Sequence, residues 1–278
     1  GMKRKSKIDP LAALALCLLG LLLAGSLLAP VLAPYPPTQI NMAERLQGIS
    51  AAHPLGTDTL GRDLLSRVLY GGRVSVLTAA AATALSMLLG LAVGLIAGYL
   101  GGWADGVITW FTSIFQGLPS TSVMIALAAI LDPGVSSLLL ALVLTSWASF
   151  SRVVRSSVLR LREEAYVEGA RCLGAGRLRI ITRYLLPNLL PEIAVLFTTR
   201  VGGVVLSVAS LSFLGLGIQP PTPDWGVMIS EARTSFRTAP MLILAPGACL
   251  IILSFGINYL GEMLRAHFDI RGRTRQID

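Results

Sequence analysis

The stretch "VSVLTAAAATALSMLLGLAVGLIAGY", residues 74–99, contains no charged side chain and is long enough to cross a bilayer. About 20 consecutive apolar residues in a helix span the ~30 Å hydrocarbon core of a membrane. Its many Gly and Ala residues would let a second helix approach closely. The stretch therefore predicts a transmembrane helix that packs tightly against a neighbour.

The whole chain shares this character, with 54% apolar residues, 14% charged residues and a mean hydropathy of +0.70. We predict an all-α, polytopic membrane protein with six transmembrane helices, because six apolar runs have the required length. The first run lacks a clear cleavage site, so we expect it to be retained. The predicted spans are 10–33, 74–99, 106–131, 135–154, 192–217 and 241–264.

The basic residues predict the orientation of these spans. A net charge of +8 could suggest nucleic acid, but clustered Lys and Arg in a membrane chain mark cytoplasmic loops. With six spans and a cytoplasmic N-terminus, sixteen of the twenty-three Lys and Arg residues lie inside. The prediction gives cytoplasmic tails at 1–9 and 266–278, an extracytoplasmic segment at 34–73, and a permease core at 74–265 that includes a cytoplasmic loop at 158–191.

The most distinctive part of that loop is "EEAYVEGARCLGAGRLRIITRYLLPNLLP", residues 163–191. Good helix formers stand on both sides of "GAG", which predicts two short helices with a bend at Gly174. Pro187 is expected to stop the second helix. A solvated or headgroup-bound loop is the simpler alternative.

The spacing within this stretch resembles the EAA loop of ABC-importer permeases, usually written EAA, x3, G, x9, I, x, LP. The matching positions are Glu168-Gly169-Ala170, then Gly174, then Tyr184, and finally Leu186-Pro187. Gly169 replaces the usual Ala and Tyr184 replaces the usual Ile. The spacing is intact.

Further motifs extend the resemblance over nearly the whole chain. Segments such as "HPLGTDTLGRDLLSRVLYGGRVSV", "LSFLGLGIQPPTPDWGVM" and "NYLGEMLRAHFDIR" look like the C-type permease of dipeptide, oligopeptide and nickel importers. Taken separately, "GTDTLGRD" could be a surface helix capped by Thr57 or Asp58, and "LGLGIQPPTPDW" a rigid turn.

The resemblance implies a non-catalytic permease in the inner membrane of a bacterium or archaeon. The implied partners are a second similar permease, two ATP-binding subunits and an extracytoplasmic substrate-binding protein, with no nucleic acid. ATP and Mg²⁺ would be bound by the ATPase subunits, and this chain would need no cofactor of its own. The implied ATPase-docking residues are Tyr166, Glu168, Gly169, Ala170, Gly174, Leu186 and Pro187.

Enzymatic chemistry is disfavoured by the residues themselves. No lysine follows Lys7, so a phosphate-binding GxxxxGK[ST] loop is excluded. His53 and His267 are predicted on opposite sides of the membrane and outside any ligand-spaced cluster, so we expect no metal site and take both as ordinary loop residues. The three cysteines are expected to be unpaired.

Two places suggest a translocation pathway. Pro119 interrupts the third span and would leave backbone carbonyls free, which a membrane tolerates where protein or a wet cavity covers them. Arg200 lies inside the fifth span, where it must reach the interface, pair or face water. The candidate pathway residues are Gln116, Pro119, Ser120, Ser122 and Arg200, with packing or snorkelling as the alternative.

The resemblance leaves the cargo open between nickel and peptides. Peptide permeases usually carry Glu just before "LSFLGLG", whereas Val208 stands here, and "WGVMISEAR" is closer to nickel-type members. We therefore expect nickel, free or chelated, with peptides as the alternative. A self-sufficient channel or secondary transporter is a third hypothesis.

Overall fold

The computed structural model describes residues 10–274 of the chain. Its α-helices, in chain order, are α1 (Pro10–Leu27), α2 (Ala29–Leu32), α3 (Leu64–Leu100), α4 (Gly102–Gly117), α5 (Ser120–Ile130), α6 (Val135–Leu161), α7 (Ala165–Cys172), α8 (Arg177–Ile180), α9 (Leu186–Phe213), α10 (Trp225–Ala232) and α11 (Met241–Thr274). Short 3-10 helices occupy Met42–Glu44 and Arg233–Ser235. The predicted all-helical architecture agrees with this structure.

Helix α3 begins well before the predicted span 74–99. The Asp63 side chain accepts a hydrogen bond from the Ser66 backbone N–H at 2.7 Å and caps the helix. The helix then continues to Leu100 and ends at Gly101, whose φ is +66°. The polar residues after Asp63 are therefore the first turns of a long helix, and hydropathy alone could not show this because they contribute no apolar run.

The most extensive helix contact joins α3 to α6 along three glycines spaced four residues apart. A Cβ atom on Gly90, Gly94 or Gly98 would lie 2.8, 2.6 or 3.0 Å from a backbone carbonyl oxygen of α6. Those oxygens belong to Trp147 and to the two residues that follow it at the same spacing, 151 and 155. Because both series ascend together, the two helices run parallel with their backbones in contact.

The third predicted span, 106–131, is broken as expected from its proline. Helices α4 and α5 meet at Leu118 and Pro119 with a bend of 86°. Since α6 runs parallel to α3, the bent pair must carry the chain from the end of α3 back towards its beginning. Met124 and Ala128 of α5 accordingly join the core cluster that contains the early part of α3.

Pro187 does not stop a helix, so that prediction is wrong. The chain stays helical from Arg177 to Phe213 because a π-helical turn, Ile181–Leu185, inserts an extra residue. The Leu186 N–H donates to the Ile181 carbonyl, and this wider turn places Pro187 in the first turn of α9, where a missing N–H costs little. The predicted fifth span, 192–217, therefore belongs to a longer helix.

The structure supports fewer membrane spans than the six predicted. Within residues 10–274, four helices are individually long and apolar enough to cross a membrane, or five if the bent pair forms one span. The first predicted span corresponds to a shorter apolar helix, Ala12–Leu27. It packs on the bundle through one face, because Leu19 lies directly over Gly256 of α11 and Gly25 faces Leu69 of α3. Its other face is exposed, with Leu14 and Leu21 more than half accessible.

We predict that Gly94→Ala destabilises the bundle. The added methyl would lie 2.6 Å from the Ser151 carbonyl oxygen, and overpacking of this kind costs about 1–3 kcal/mol. Gly106→Ala is the matched control, since a Cβ there meets nothing within 4 Å. Thermal unfolding in detergent should show a lower midpoint for Gly94→Ala and no loss for the control. Equal midpoints would contradict the close contact.

Candidate functional site

The stretch 163–191 contains the short helix α7 and, after the predicted bend at Gly174, the start of the long helix from Arg177 to Phe213. The prediction of a second short helix is wrong. The inner face of α7 is buried, with Val167 at 0% and Ala170 at 6% exposure, and it packs with Ile180 and Leu185. Among the predicted docking residues, Glu168, Gly169, Gly174 and Pro187 are exposed, and Ala170 is buried. The segment thus presents one face outward and anchors the other.

Gly174 adopts the left-handed conformation that its position predicts, with φ of +80°. The Gly174 N–H donates to the Arg171 carbonyl, and the Ala175 N–H donates to the Ala170 carbonyl at 3.0 Å. This pattern closes a helix end that a side chain at Gly174 would strain.

The outward face of this segment carries large apolar side chains. Leu173 is 91% exposed and Leu178 is 75% exposed. The half-exposed Tyr166 stacks on Tyr184, with ring centroids 6.4 Å apart. That stacking gives a structural reason for Tyr184 where the EAA pattern has Ile. A surface with exposed leucines beside the Glu168 carboxylate is suited to a protein partner.

The predicted pathway residues are only partly brought together. Gln116 donates to the Ala148 carbonyl at 3.0 Å, so it holds α4 against α6. The Arg200 guanidinium of α9 lies 5.9 Å from the centroid of the Phe150 ring of α6. Pro119, Ser120 and Ser122 are exposed in the chain by itself.

Sequence reasoning missed a stripe along α9. Arg200, Gly203, Ser207 and Ser210 follow one another at intervals of three and four residues, so they lie on one face of the helix. Gly203 and Ser210 are exposed and Ser207 is half-buried. The seven-residue spacing from Arg200 to Ser207 and from Gly203 to Ser210 was the sequence signal for this stripe. The stripe faces away from the chain's own core.

The second missed feature is a network of buried ion pairs that joins distant segments. We call it the outer clamp and define it by Asp58, Arg62, Arg67 and Glu231. Arg62 Nη2 and Arg67 Nη2 lie 3.0 and 2.7 Å from Glu231 Oε2, while Arg62 Nε lies 2.6 Å from Asp58 Oδ2. Both arginine side chains are at most 3% exposed. The alternative of Asp58 as a cap on a surface helix is therefore wrong.

Helix α10 is held to α3 at its other end as well. The Asp224 side chain accepts a hydrogen bond from Ser75 Oγ at 2.6 Å and caps α10 through the Gly226 and Val227 N–H groups. The fully buried Trp225 indole donates to the Val68 carbonyl at 3.0 Å. Burial raises the pKa of the Asp224 carboxyl, against these hydrogen bonds.

His53 is not the ordinary loop residue that we expected, because it is only 3% exposed. Its Nδ1 lies 2.9 Å from Asp63 Oδ1, and its Nε2 lies 3.3 Å from Glu44 Oε2. Hydrogen bonding to Asp63, aided by Glu44, raises the pKa of the imidazole against the opposing effect of burial. The segment before α3 is thus tied to the residue that caps α3.

A family model described as "binding-protein-dependent transport system inner membrane component" matches residues 90–273. The chain belongs to this family. A second model, the "N-terminal TM domain of oligopeptide transport permease C", matches residues 4–48. The two matches confirm the predicted membership among C-type permeases of the dipeptide and oligopeptide importers.

Two curated relatives of this permease align over most of its length. The dipeptide transport system permease protein DppC of Alkalihalophilus pseudofirmus is 37% identical, covering 96% of this chain and 88% of the relative. The glutathione transport system permease protein GsiD of Pectobacterium atrosepticum is 38% identical, covering 90% of this chain and 83% of the relative.

Solved structures show the same fold. The inward-facing MetNI methionine ABC transporter matches with a TM-score of 0.52 and 19% identity, covering 69% of this permease and 94% of that chain. An amino acid ABC transporter with histidines matches with a TM-score of 0.54 and 13% identity, over 70% and 90% of the two chains.

Membership in this family confirms that the chain is a non-catalytic, multi-pass permease subunit of an ABC importer. Such a subunit acts in a complex with ATPase and substrate-binding partners. Two surfaces are therefore candidates for partner contact: the exposed face of 163–191 and the polar stripe on α9. The outer clamp, by contrast, stabilises the permease's own fold.

We predict that Glu231→Gln destabilises the permease by about 3 kcal/mol, because it leaves two buried guanidinium groups without their shared carboxylate. Glu192→Gln is the matched control: its carboxylate lies 3.7 Å from Arg160, and both side chains are exposed. An exposed pair of this kind contributes about 0–1 kcal/mol. Unfolding midpoints measured in detergent should drop only for Glu231→Gln, and equal effects would contradict a buried clamp.

Proposed function

We propose that this permease forms half of the translocation pathway of an ATP-driven importer of short peptides. The observation that carries the proposal is the near full-length similarity, at 37% and 38% identity, to permeases named for dipeptide and glutathione transport. Both of those cargoes are short peptides. A pathway for them needs room for a peptide backbone rather than a set of metal ligands.

The expected nickel cargo receives no support from these relatives, and the residues that suggested it have structural roles. Val208 is fully buried within the core of the bundle. In "WGVMISEAR", Trp225 and Met228 are buried and Glu231 belongs to the outer clamp. Variation at such positions reflects packing and ion pairing inside the permease, so it carries little information about what passes through the pore.

A second, similar permease would supply the other half of the pathway. The stripe of Arg200, Gly203, Ser207 and Ser210 on α9 faces away from this chain's core, and the charge of Arg200 makes lipid an unfavourable neighbour for it. Across a two-permease interface it would line a wet passage, with Arg200 held over Phe150. Gln116, Pro119, Ser120 and Ser122 would contribute from the broken span.

The stretch 163–191 would act as the cytoplasmic coupling loop of a six-span permease whose two termini are both cytoplasmic. Its exposed leucines and Glu168 would dock on one of two ATPase subunits, which bind ATP and Mg²⁺. Movement of the ATPase would then reach the spans through the continuous helix from Arg177 to Phe213. A substrate-binding protein would deliver the peptide at the outer face.

Reconstitution of the assembled complex into liposomes tests the cargo. We expect uptake of a radiolabelled dipeptide that requires both ATP and the binding protein, and no uptake of radioactive nickel under the same conditions. Nickel uptake without dipeptide uptake would overturn the proposed cargo. Dipeptide flux by this chain in ATP-free liposomes would instead favour a self-sufficient channel or secondary transporter.

For coupling, we predict that Gly174→Val and Glu168→Lys uncouple ATP hydrolysis from transport. Valine at a φ of +80° costs about 1–2 kcal/mol in backbone strain, and lysine reverses the charge on the exposed face. Both variants should insert normally, yet retain the ATPase weakly or hydrolyse ATP without moving peptide. Gly176→Ala is the control, because that exposed position lies outside the docking set, has a φ of −67° and accepts a Cβ with nothing within 4 Å. Wild-type coupling in both test variants would make the stretch an ordinary loop.

A further inference from the structure

A cavity of about 530 Å³ lies where the end of α3 meets the stretch 163–191. Its walls are formed by Tyr99, Leu100, Arg162, Glu163, Arg171 and Arg177. None of these residues belongs to the predicted docking set or to the stripe on α9. The cavity is therefore formed by other side chains than those implied in ATPase docking, while Glu163, Arg171 and Arg177 lie in the same stretch, 163–191.

The cavity is electropositive, since three guanidinium groups share it with one carboxylate. Within the described part of the chain, Arg162, Arg171 and Arg177 have no ion-pair partner. Nearby Arg155, by contrast, is paired with Asp105. The three arginines thus leave an excess of positive charge that a ligand could neutralise.

Two of these arginines are held in position by neutral groups. Arg162 Nη1 donates to the Gly98 carbonyl at 2.9 Å. The Arg171 guanidinium stacks over the Tyr99 ring at 5.9 Å from its centroid. Both contacts leave other N–H groups of the guanidinium free, and these are suited to bidentate bonds with a phosphate.

The cavity opens where an apolar helix leaves the membrane. Tyr99 and Leu100 are the last residues of α3, which is long and apolar enough to span, and Leu100 is 52% exposed. Tyrosine is enriched at the boundary between hydrocarbon and headgroups. Basic pockets between helices at the cytoplasmic boundary suit anionic lipid headgroups.

We infer that this cavity binds a phosphate group, and that its source is the headgroup of an anionic phospholipid of the cytoplasmic leaflet. Arg162, Arg171 and Arg177 bind the phosphate oxygens, while Leu100 contacts the start of the acyl chains. The inference rests on membrane insertion and on the proposed orientation, and it is independent of the cargo.

Lipid binding to the assembled complex tests the site. Fluorescent phosphatidylglycerol is titrated in mixed detergent micelles, with unlabelled phosphatidylcholine and inorganic phosphate as competitors. We expect saturable binding that phosphatidylcholine displaces at least about tenfold less well than unlabelled phosphatidylglycerol, because its choline group brings a positive charge towards the arginines. Arg171→Gln and Arg177→Gln should each weaken binding about tenfold, since each removes a charge-assisted hydrogen bond.

Arg179→Gln is the matched control, because this exposed arginine is on the same short helix as Arg177 but does not line the cavity. Dipeptide uptake is measured for each variant as well. Because lipid binding is measured directly, failure of the proposed dipeptide transport would leave the test of the lipid site unchanged. An equal effect of Arg179→Gln, or equal displacement by the two lipids, would overturn the site. Displacement by inorganic phosphate at similar concentration would overturn the lipid as its source. Binding by the two permeases but not by the complete complex would show that an ATPase fills the cavity.

Discussion

The arrangement of the other helices depends on the contact between the α3 and α6 backbones. Gly90, Gly94 and Gly98 let the two parallel helices approach until no Cβ fits between them. A membrane gives no hydrophobic drive for helix association, so this close approach and its dispersion energy carry much of the association. Because the pair is parallel, the chain between them must travel back along the bundle, and the break at Pro119 lies in that return path.

Outside the apolar core, ionic and hydrogen-bonded contacts replace close packing. The outer clamp joins Asp58, Arg62 and Arg67 to Glu231, which is more than 160 residues away along the chain. Asp224 and Trp225 fix the other end of the same short helix to α3. These contacts hold the segment before α3 and the segment after α9 as one unit, so this end of the bundle is tied together although its connections are irregular.

The apolar periods and motif spacings predicted the helical fold, the family, the break at Pro119 and the left-handed Gly174. They could not reveal the outer clamp, because the ion-pair partner of Arg62 and Arg67 is Glu231, which only folding brings near. The helix through Pro187 was missed for a related reason: local proline rules cannot foresee a π turn that tertiary packing of Leu185 and Leu189 stabilises. The burial of Val208 could not be foreseen, because a sequence does not show which face of a helix a residue occupies.

The extra residue in the turn Ile181–Leu185 accommodates Pro187, and it also sets the rotation of the loop face about the axis of α9. The helix from Arg177 to Phe213 contains 37 residues and extends about 55 Å at 1.5 Å per residue. Each residue also advances an α-helix by about 100° around its axis. Loss of one residue from this turn would therefore rotate Leu173 and Glu168 by about that angle relative to α9, and the outward face of the loop would point to a different side of the molecule.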